Sequence, residues 1–182
     1  KVDSGMGRLG LLPDEVIPFL QAINLPGLRV EALYTHLATA DETDLSYARE
    51  QLRRFDALLA ELDAANMRPP LVHACNTAGI LNLPEGRYDM VRPGIGLYGL
   101  PPSADTALPE GFRPALTFKS TVGQVKTVPP GSPIGYGSIY RTQGEETIAV
   151  IPVGYADGFR RTPRTWGEVL VKGQRAPLVG RV

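Results

Sequence analysis

Arg8 lies in a loop with three glycines, Gly5, Gly7 and Gly10, directly after a strand-like start. Glycine accepts positive φ and lets a ligand approach the backbone, and a guanidinium offers a planar fork of donors that suits a carboxylate, a phosphate or a phenolate. The pattern therefore indicates an anion site. A tight strand-to-helix turn with a solvated arginine explains the same residues.

Four polar groups follow predicted strands in the first hundred residues: Arg8, His36 with Asp41, Asn76-Thr77, and Arg92. Loops at the carboxyl ends of parallel strands are where ligands are positioned in this kind of architecture. Thr77 at a helix start and the amides of Gly94-Ile95-Gly96 both suit a phosphate. Thr77 is equally explained as an N-cap, and Pro93-Gly94 as a turn.

Further side chains have both a chemical and a structural interpretation. His36 suits proton transfer, but a single histidine is also a common structural residue. His73 and Cys75 offer two metal ligands without a third or fourth at suitable spacing, so no metal is predicted. Tyr136 and Tyr155 lie between glycines, where a phenol serves either packing or proton transfer.

Alternating helices and strands must position these groups. Helical periodicity predicts helices at Pro13–Ile23, Asp44–Met67 and Thr77–Leu83, and residues typical of strands occupy 28–37, 71–74 and 88–91. This alternation predicts an α/β fold with parallel strands and crossover helices. A complete eight-fold barrel takes about 250 residues, so roughly 100 residues supply only the C-terminal part of a TIM-type (β/α)8 barrel.

The remaining residues have a different composition, rich in Val, Ile and Thr between turn residues. Strands are predicted in 116–128 and 147–153, and a hairpin around Lys172-Gly173-Gln174-Arg175. We therefore expect a partial α/β barrel over 1–112 and the start of a mainly β domain over 113–182, joined through the proline-rich stretch 100–114.

Charge and cysteine content limit the function classes. The 19 basic and 19 acidic residues cancel, which gives no indication of nucleic acid or an anionic membrane as a partner. No apolar run approaches the ~20 residues of a membrane-spanning helix, and a single Cys75 suits a reducing compartment, so we expect a cytoplasmic protein. The absence of an initiator methionine and the apolar ends indicate an interior segment of a longer protein.

Five segments together resemble the alanine racemase family, in the family's order and approximate spacing. They are 1–10, 35–41, 90–99, 135–140 and 152–158, with sequences KVDSGMGRLG, THLATAD, MVRPGIGLYG, GYGSIY and PVGYADG. The resemblance implies a fold-type III pyridoxal-phosphate enzyme, an α/β barrel followed by a β domain, that works as a homodimer with shared active sites. It also implies interconversion of L- and D-alanine, which supplies D-alanine for cell-wall peptidoglycan.

The same resemblance implies residues for pyridoxal 5'-phosphate. Thr77 and the Ile95 amide would hold the phosphate, next to Asn76 and Gly94. Arg92 would contact the pyridine nitrogen. Arg8 would lie near the phenolic oxygen and the substrate carboxylate. Lys1 falls where the family often has a carbamylated lysine that orients this arginine, and Thr77 replaces a serine that is common there.

By the same resemblance, Tyr136 would be one catalytic base, acting on the partner's cofactor, with His36 in its hydrogen-bond network. Tyr155, Asp41 and Arg161 match positions that line the substrate entryway. The second base of the family is the Schiff-base lysine of an early barrel strand. The lysines of this chain are Lys1, Lys119, Lys126 and Lys172, and none is in that context, so the 182 residues alone are expected to be inactive.

Other functions fit part of the sequence. A racemase of serine, lysine or a broad range of amino acids shares these motifs. A non-catalytic pyridoxal-phosphate-binding barrel protein lacks the second domain, so 135–158 argues against it. A phosphate-binding metabolic barrel without this cofactor accounts for Thr77 and Gly94 but not for the two tyrosine motifs.

Overall fold

Helices and short parallel strands alternate through the first part of the chain. The computed structural model describes residues 1–23, 25–159 and 167–180. The elements in order are α1 (Pro13–Ala22), β1 (Ala32–Tyr34), α2 (Ser46–Ala64), β2 (Leu71–His73) and α3 (Thr77–Asn82). β1 and β2 pair in parallel, with Leu33 opposite Val72, so α2 is a crossover helix, and the predicted alternation is confirmed.

Two further segments extend this parallel arrangement without forming full strands. The Val2 amide donates to the Tyr34 carbonyl at 2.8 Å, and Met90 forms an isolated parallel bridge with His73. The predicted strand over 88–91 is therefore wrong in extent. Tyr88 has a φ of 45°, outside the β region, and one carboxylate oxygen of Asp89 accepts the Val72 amide at 2.8 Å, where a strand carbonyl would otherwise bind.

α2 carries the apolar core on one face, as its periodicity predicts. Its C-terminal half contributes Phe55, Leu58 and Leu62 to a cluster around β1 and β2. Its N-terminal half contributes Ala48 and Leu52 to a second cluster beneath the loops that follow these strands. Because burial of a large apolar side chain stabilises by about 1.5–3 kcal/mol, this helix fixes both the strands and the loops at their ends.

α1 begins where a proline is best tolerated. Pro13 is the first helical residue, a position whose backbone N–H would have no acceptor within the helix, so the N–H that proline lacks is not missed. The Glu15 carboxylate accepts the Leu12 amide at 2.8 Å. The helix buries Val16 against the first cluster and contacts α2. The predicted helix is confirmed, and it lies in the chain between the Arg8 loop and β1.

The later residues form antiparallel pairs. The strands are β3 (Gln124–Val128), β4 (Pro133–Ile134), β5 (Tyr140–Arg141), β6 (Glu146–Val150), β7 (Glu168–Val171) and β8 (Gln174–Pro177). β3 pairs with β6, β4 with β5, and β7 with β8. Lys172 and Gly173 both have positive φ, at 49° and 81°, as a two-residue hairpin turn requires, so the predicted hairpin is confirmed.

Contacts divide the chain into two units, Lys1–Thr117 and Phe118–Val182. Both apolar clusters belong to the first unit. Within the part of the chain that the structure describes, no helix is long and apolar enough to span a membrane.

Candidate active site

Arg92 lies where the two parallel strands end. Its amide donates to the Cys75 carbonyl at 2.9 Å, which continues the pairing beyond β2. Its Nη2 donates to the carbonyl oxygens of Thr35 and Ala74, both at 2.9 Å. These carbonyls directly follow β1 and β2, so the backbone holds the guanidinium at the carboxyl ends of both strands.

Two imidazoles bind the same guanidinium. Nδ1 of His36 lies 3.1 Å from Nη2 of Arg92, and Nδ1 of His73 contacts Nη1. Because a guanidinium has only donors, both Nδ1 atoms accept and each ring carries its proton on Nε2. Burial and then the charge of Arg92 lower the pKa of both histidines, with Arg8 and Lys1 adding to the effect at His36. The cluster therefore holds one positive charge and two neutral rings.

Tyr34, the last residue of β1, supports this cluster through its ring. The ring stacks on His73 with centroids 4.8 Å apart and an interplanar angle of 10°. Cζ of Arg92 lies 5.2 Å from the ring centroid, and Nζ of Lys1 lies 5.9 Å from it. Cation–π attraction thus places Lys1 and Arg92 against one aromatic ring. Lys1 is half-buried.

Thr77 ties α3 to the turn after Arg92. Its nearly buried Oγ1 accepts the amides of Gly94 and Gly96 at 2.9 and 3.3 Å. A Cβ built on Gly96 would lie 2.7 Å from Thr77 Cγ2, so only glycine fits against this threonine. The short helix Ile95–Tyr98 starts at this point, and its first amide, that of Ile95, has no acceptor within the helix.

The interpretation of Thr77 as an N-cap is wrong. Asn76 holds that position, and its Oδ1 accepts the Gly79 amide at 2.9 Å. An N-cap residue has extended backbone angles, which Asn76 adopts, whereas Thr77 is already helical. The threonine hydroxyl is therefore directed to the 94–96 turn instead of to its own helix.

The glycine loop that carries Arg8 binds an anion that belongs to the chain. Oδ1 of Asp3 accepts the amides of Gly5, Met6 and Gly7, and these bonds, that of Gly7 foremost, lower the pKa of Asp3. The amides of residues 5–7 are thus directed at Asp3. The Arg8 side chain itself is exposed.

Asp41, Tyr136 and Tyr155 are the remaining predicted site residues that the structure describes. The Asp41 carbonyl accepts the hydroxyls of Ser103 and Thr106 at 2.6 and 3.2 Å, which fixes the end of the His36 loop. Tyr136 and Tyr155 belong to the second unit, with exposed fractions of 79% and 68%. Arg161 lies outside the described residues.

His73 and Cys75 do not converge on a common point. The buried Cys75 thiol donates to the Gly86 carbonyl at 3.0 Å, and burial raises its pKa to about 11. His73 faces Arg92 instead. Among residues 1–23, 25–159 and 167–180, no group of three histidine, cysteine or acidic side chains could hold a metal ion.

Family models match both parts of the chain. The model described as alanine racemase, N-terminal domain, covers residues 1–102, and that of the alanine racemase C-terminal domain covers 115–182. The chain belongs to the alanine racemase family. The family resemblance inferred from the five sequence segments is thereby confirmed.

Curated alanine racemases match the whole chain. That of Symbiobacterium thermophilum is 50% identical over 183 aligned residues, and that of Desulfovibrio desulfuricans is 46% identical. Each alignment includes 100% of this chain but 48% and 49% of the relative. The chain thus spans about half the length of the curated relatives it matches.

Solved structures of the family have the same fold. The alanine racemase of Clostridium difficile 630 superposes with a TM-score of 0.91 at 40% identity, over 99% of this chain and 48% of that one. That of Bacillus anthracis with bound L-Ala-P superposes with a TM-score of 0.89 at 42% identity, over 98% and 47%. The α/β part followed by β pairs is therefore the arrangement of this family.

Sequence reasoning missed three residues of the site. Asp3 and Tyr34 were not singled out, and His73 was considered only as a metal ligand. A polar residue just before a glycine loop was the available signal for Asp3, and a strand-terminal aromatic next to Thr35 was the signal for Tyr34. For His73, the available signal was its place near the end of a predicted strand, just before the polar loop with Asn76 and Thr77.

Proposed function

We propose that the full-length protein carrying this chain is a pyridoxal-phosphate-dependent alanine racemase, an isomerase that interconverts L- and D-alanine. The observation that carries the proposal is the Arg92 guanidinium, held by backbone carbonyls at the ends of two parallel strands in a chain that matches alanine racemases over its whole length. D-alanine for cell-wall peptidoglycan would be its product, and the cytoplasm its location.

The residues present fit pyridoxal 5'-phosphate. Arg92 would meet the pyridine nitrogen, and Thr77 with the Ile95 amide would hold the phosphate, with Asn76 and Gly94 fixing the turn around them. A nearly buried hydroxyl beside the start of a short helix supports this assignment, since such groups suit a phosphate. When bound, the cofactor withdraws electrons from the Cα–H bond of the substrate and so acidifies it.

Arg92 determines how strong that withdrawal is. A guanidinium keeps its proton at all physiological pH values, so it donates to the pyridine nitrogen without protonating it. Its four contacts to Thr35, Ala74, His36 and His73 leave it little freedom to turn away. The site therefore favours brief deprotonation of Cα and disfavours side reactions.

Racemisation needs a base on one face of Cα and an acid on the other, with the roles exchanged for the opposite enantiomer. Tyr136 would serve one face, acting on the site of its partner in a homodimer, and a lysine outside these 182 residues would serve the other. His36 would support the hydrogen bonds around the phenol. Arg8, oriented by a carbamylated Lys1, would bind the substrate carboxylate.

The wider architecture follows from the same proposal. Residues 1–112 would form the C-terminal part of a TIM-type (β/α)8 barrel that binds the cofactor, and 113–182 would begin the C-terminal β domain. Tyr155, Asp41 and Arg161 would line the entryway by which alanine reaches the site.

Replacement of Tyr136 by phenylalanine tests the proposal. In the full-length protein we expect Tyr136→Phe to keep the cofactor absorbance and to lower kcat by roughly 10²–10⁴-fold, the usual contribution of a general acid–base group. Exchange of the Cα hydrogen in deuterated water should persist for the enantiomer whose proton the lysine removes. For the other enantiomer it should be largely lost.

Tyr140→Phe is the matched control. It removes a phenol of the same unit that donates to Glu146 at 2.8 Å, and it should leave kcat and both exchange rates unchanged. Wild-type turnover by Tyr136→Phe in both directions would remove the catalytic role of Tyr136. Faster turnover of serine or lysine than of alanine by the wild-type protein would favour a racemase of another amino acid.

A further inference from the structure

The loop that presents Arg8 is folded around one carboxylate oxygen. Oδ1 of Asp3 lies 3.0, 2.8 and 3.1 Å from the amide nitrogens of Gly5, Met6 and Gly7. Three consecutive N–H groups that point at one oxygen form an anion-binding concavity. Gly5 and Gly7 supply the positive φ values, 137° and 69°, that bring these amides together. Arg8 directly follows Gly7, the last residue whose amide binds Asp3.

α2 supports the outer side of the same loop. The Tyr47 hydroxyl donates to the Gly5 carbonyl at 2.7 Å, and Nη1 of Arg54 donates to the Ser4 carbonyl at 3.4 Å. A Cβ built on Gly5 would lie 2.7 Å from the Tyr47 hydroxyl oxygen. The Asp3 carboxylate thus binds the amides of the loop, and side chains of α2 bind its carbonyls.

Both ends of the loop are joined to each other. The Asp3 amide donates to the Leu11 carbonyl at 2.8 Å, and the Leu11 amide donates to the Lys1 carbonyl at 2.9 Å. Inside, the Ser4 hydroxyl lies 2.7 Å from that of Thr35, so the loop is also bound to the end of β1. The backbone of Arg8 is therefore part of a closed loop, although its side chain is exposed.

We propose that Asp3 is a positioning residue whose carboxylate folds the 5–7 turn and thereby sets the place from which Arg8 reaches the substrate carboxylate. The inference rests on the role of Arg8 in the proposed function. The same amide bonds keep the pKa of Asp3 below its ordinary value, so the carboxylate is charged throughout the neutral range. The loop is folded by its own anion before any ligand binds.

The test compares Asp3→Ala with wild type in the full-length protein by two independent measurements. Amide hydrogen exchange of residues 5–8, measured without substrate, should accelerate by roughly tenfold or more when the acceptor is removed. The KM for alanine should rise by roughly tenfold, because a misplaced Arg8 weakens one contact to the substrate carboxylate and a tenfold loss of affinity corresponds to about 1.4 kcal/mol. The kcat should change by less than about threefold.

Two further variants keep the result interpretable. Asp44→Ala removes an exposed carboxylate that accepts the Ser46 amide at 2.9 Å before α2, and it should leave KM unchanged. Asp3→Asn keeps an acceptor oxygen without the charge and should give smaller changes of the same sign, since a charged acceptor binds roughly twice as strongly. If Asp3→Ala does not fold, the asparagine variant provides the measurement.

Arg8→Ala separates failure of this inference from failure of the proposed function. A raised KM in Arg8→Ala with an unchanged KM in the Asp3 variants overturns the positioning role alone, whatever the exchange rates. Unchanged exchange at residues 5–8 also overturns it. An unchanged KM in Arg8→Ala overturns the substrate-binding role of Arg8, and the positioning role with it.

Discussion

At the scale of single residues, Arg92 determines the charge of the site. One guanidinium contacts two backbone carbonyls and two imidazoles, with the two Nη2 hydrogens shared among three acceptors, and because it has only donors each histidine presents a lone pair to it. Protonation of either ring would place a second cation beside the first. Burial, and then the charge of the same group that would meet the cofactor, thus lower the pKa of both histidines and keep them neutral.

Removal of this charge should be visible in the titration of the rings. In Arg92→Met we expect the pKa of both His36 and His73 to rise, while burial still keeps each below its ordinary value. NMR of selectively labelled histidine measures this directly. Arg87→Met is the control, since its exposed guanidinium donates to the Ile80 carbonyl and its loss should change neither histidine pKa.

The pH dependence of stability follows with a defined sign. The folded chain binds these two protons less readily than the unfolded chain, so protonation favours unfolding and stability falls as the pH drops through about 6.5. In Arg92→Met that loss should be smaller over the same range. An equal loss in both proteins, measured by urea unfolding, would mean that Arg92 does not depress these pKa values.

The sequence predicted which residues belong to the site better than it predicted which of them are in contact. Arg92, Thr77 and His36 could be singled out because each follows a predicted strand or starts a predicted helix. That His73 binds Arg92, and that Asp3 binds the amides of its own loop, could not be identified from one sequence. Both contacts depend on side-chain direction, which is set by strand pairing and by the positive φ of Gly5 and Gly7.

At the scale of elements, α2 does more than cover the sheet. Gln51 on this helix is fully buried, its amide group donates to the His36 carbonyl at 3.1 Å, and its oxygen accepts the Ala38 amide at 2.8 Å. One side chain thus binds two backbone groups of the loop that carries His36, the carbonyl of His36 and the amide of Ala38.

We expect Gln51→Leu to destabilise the protein by about 1–3 kcal/mol, because two partly buried backbone groups lose hydrogen bonds worth about 0.5–1.5 kcal/mol each. Catalysis should fall as well, since His36 loses its backbone support. Glu61→Leu on the exposed face of α2 should change stability by no more than about 0.5 kcal/mol. Equal unfolding midpoints in urea for the two variants would contradict this role of Gln51.

Helices were predicted more accurately than strands. The spacing of Leu52, Phe55, Leu59 and Leu62 repeats over about three turns and predicts only a helix. The β-forming residues of 28–37 extend beyond the three residues that pair, because hydrogen-bond partners rather than propensity decide where a strand ends. Of the predicted residues 28–37, only Ala32–Tyr34 pair with β2, and these three form the strand.

At the scale of the whole molecule, buried apolar side chains are confined to the first unit among the residues that the structure describes. Phe55, with no exposed surface, packs edge-on against Tyr88 at a centroid distance of 5.7 Å. The first unit therefore supplies the apolar core seen in this chain.

Phe55→Ala should lower the free energy of unfolding by about 3–5 kcal/mol, the usual cost of an emptied aromatic site. Phe19→Ala on α1 removes the same side chain from a position with 45% exposure and should cost much less. Urea unfolding of the full-length variants, followed with amide exchange of 1–117, measures both. Similar losses for the two would mean that the core lies elsewhere.

Sequence composition predicted two parts of different texture but not the residue at which contacts divide them. The expected boundary at 112–113 rests on where β-forming residues begin to dominate the sequence, whereas the contacts divide the chain at Thr117 and Phe118. Proline-rich connections carry neither helical nor strand periodicity, so a boundary within 100–117 has no signal of its own.

The contact between Thr77 and Gly96 limits the order in which this sequence can change. The threonine methyl occupies the space that a side chain at 96 would need, at 2.7 Å from a Cβ built there. Serine at 77 keeps the oxygen that accepts the Gly94 and Gly96 amides and removes the methyl. Gly96→Ala should therefore fit sterically once Thr77→Ser has been made and not while threonine remains at 77, so the effect of each substitution depends on which is made first.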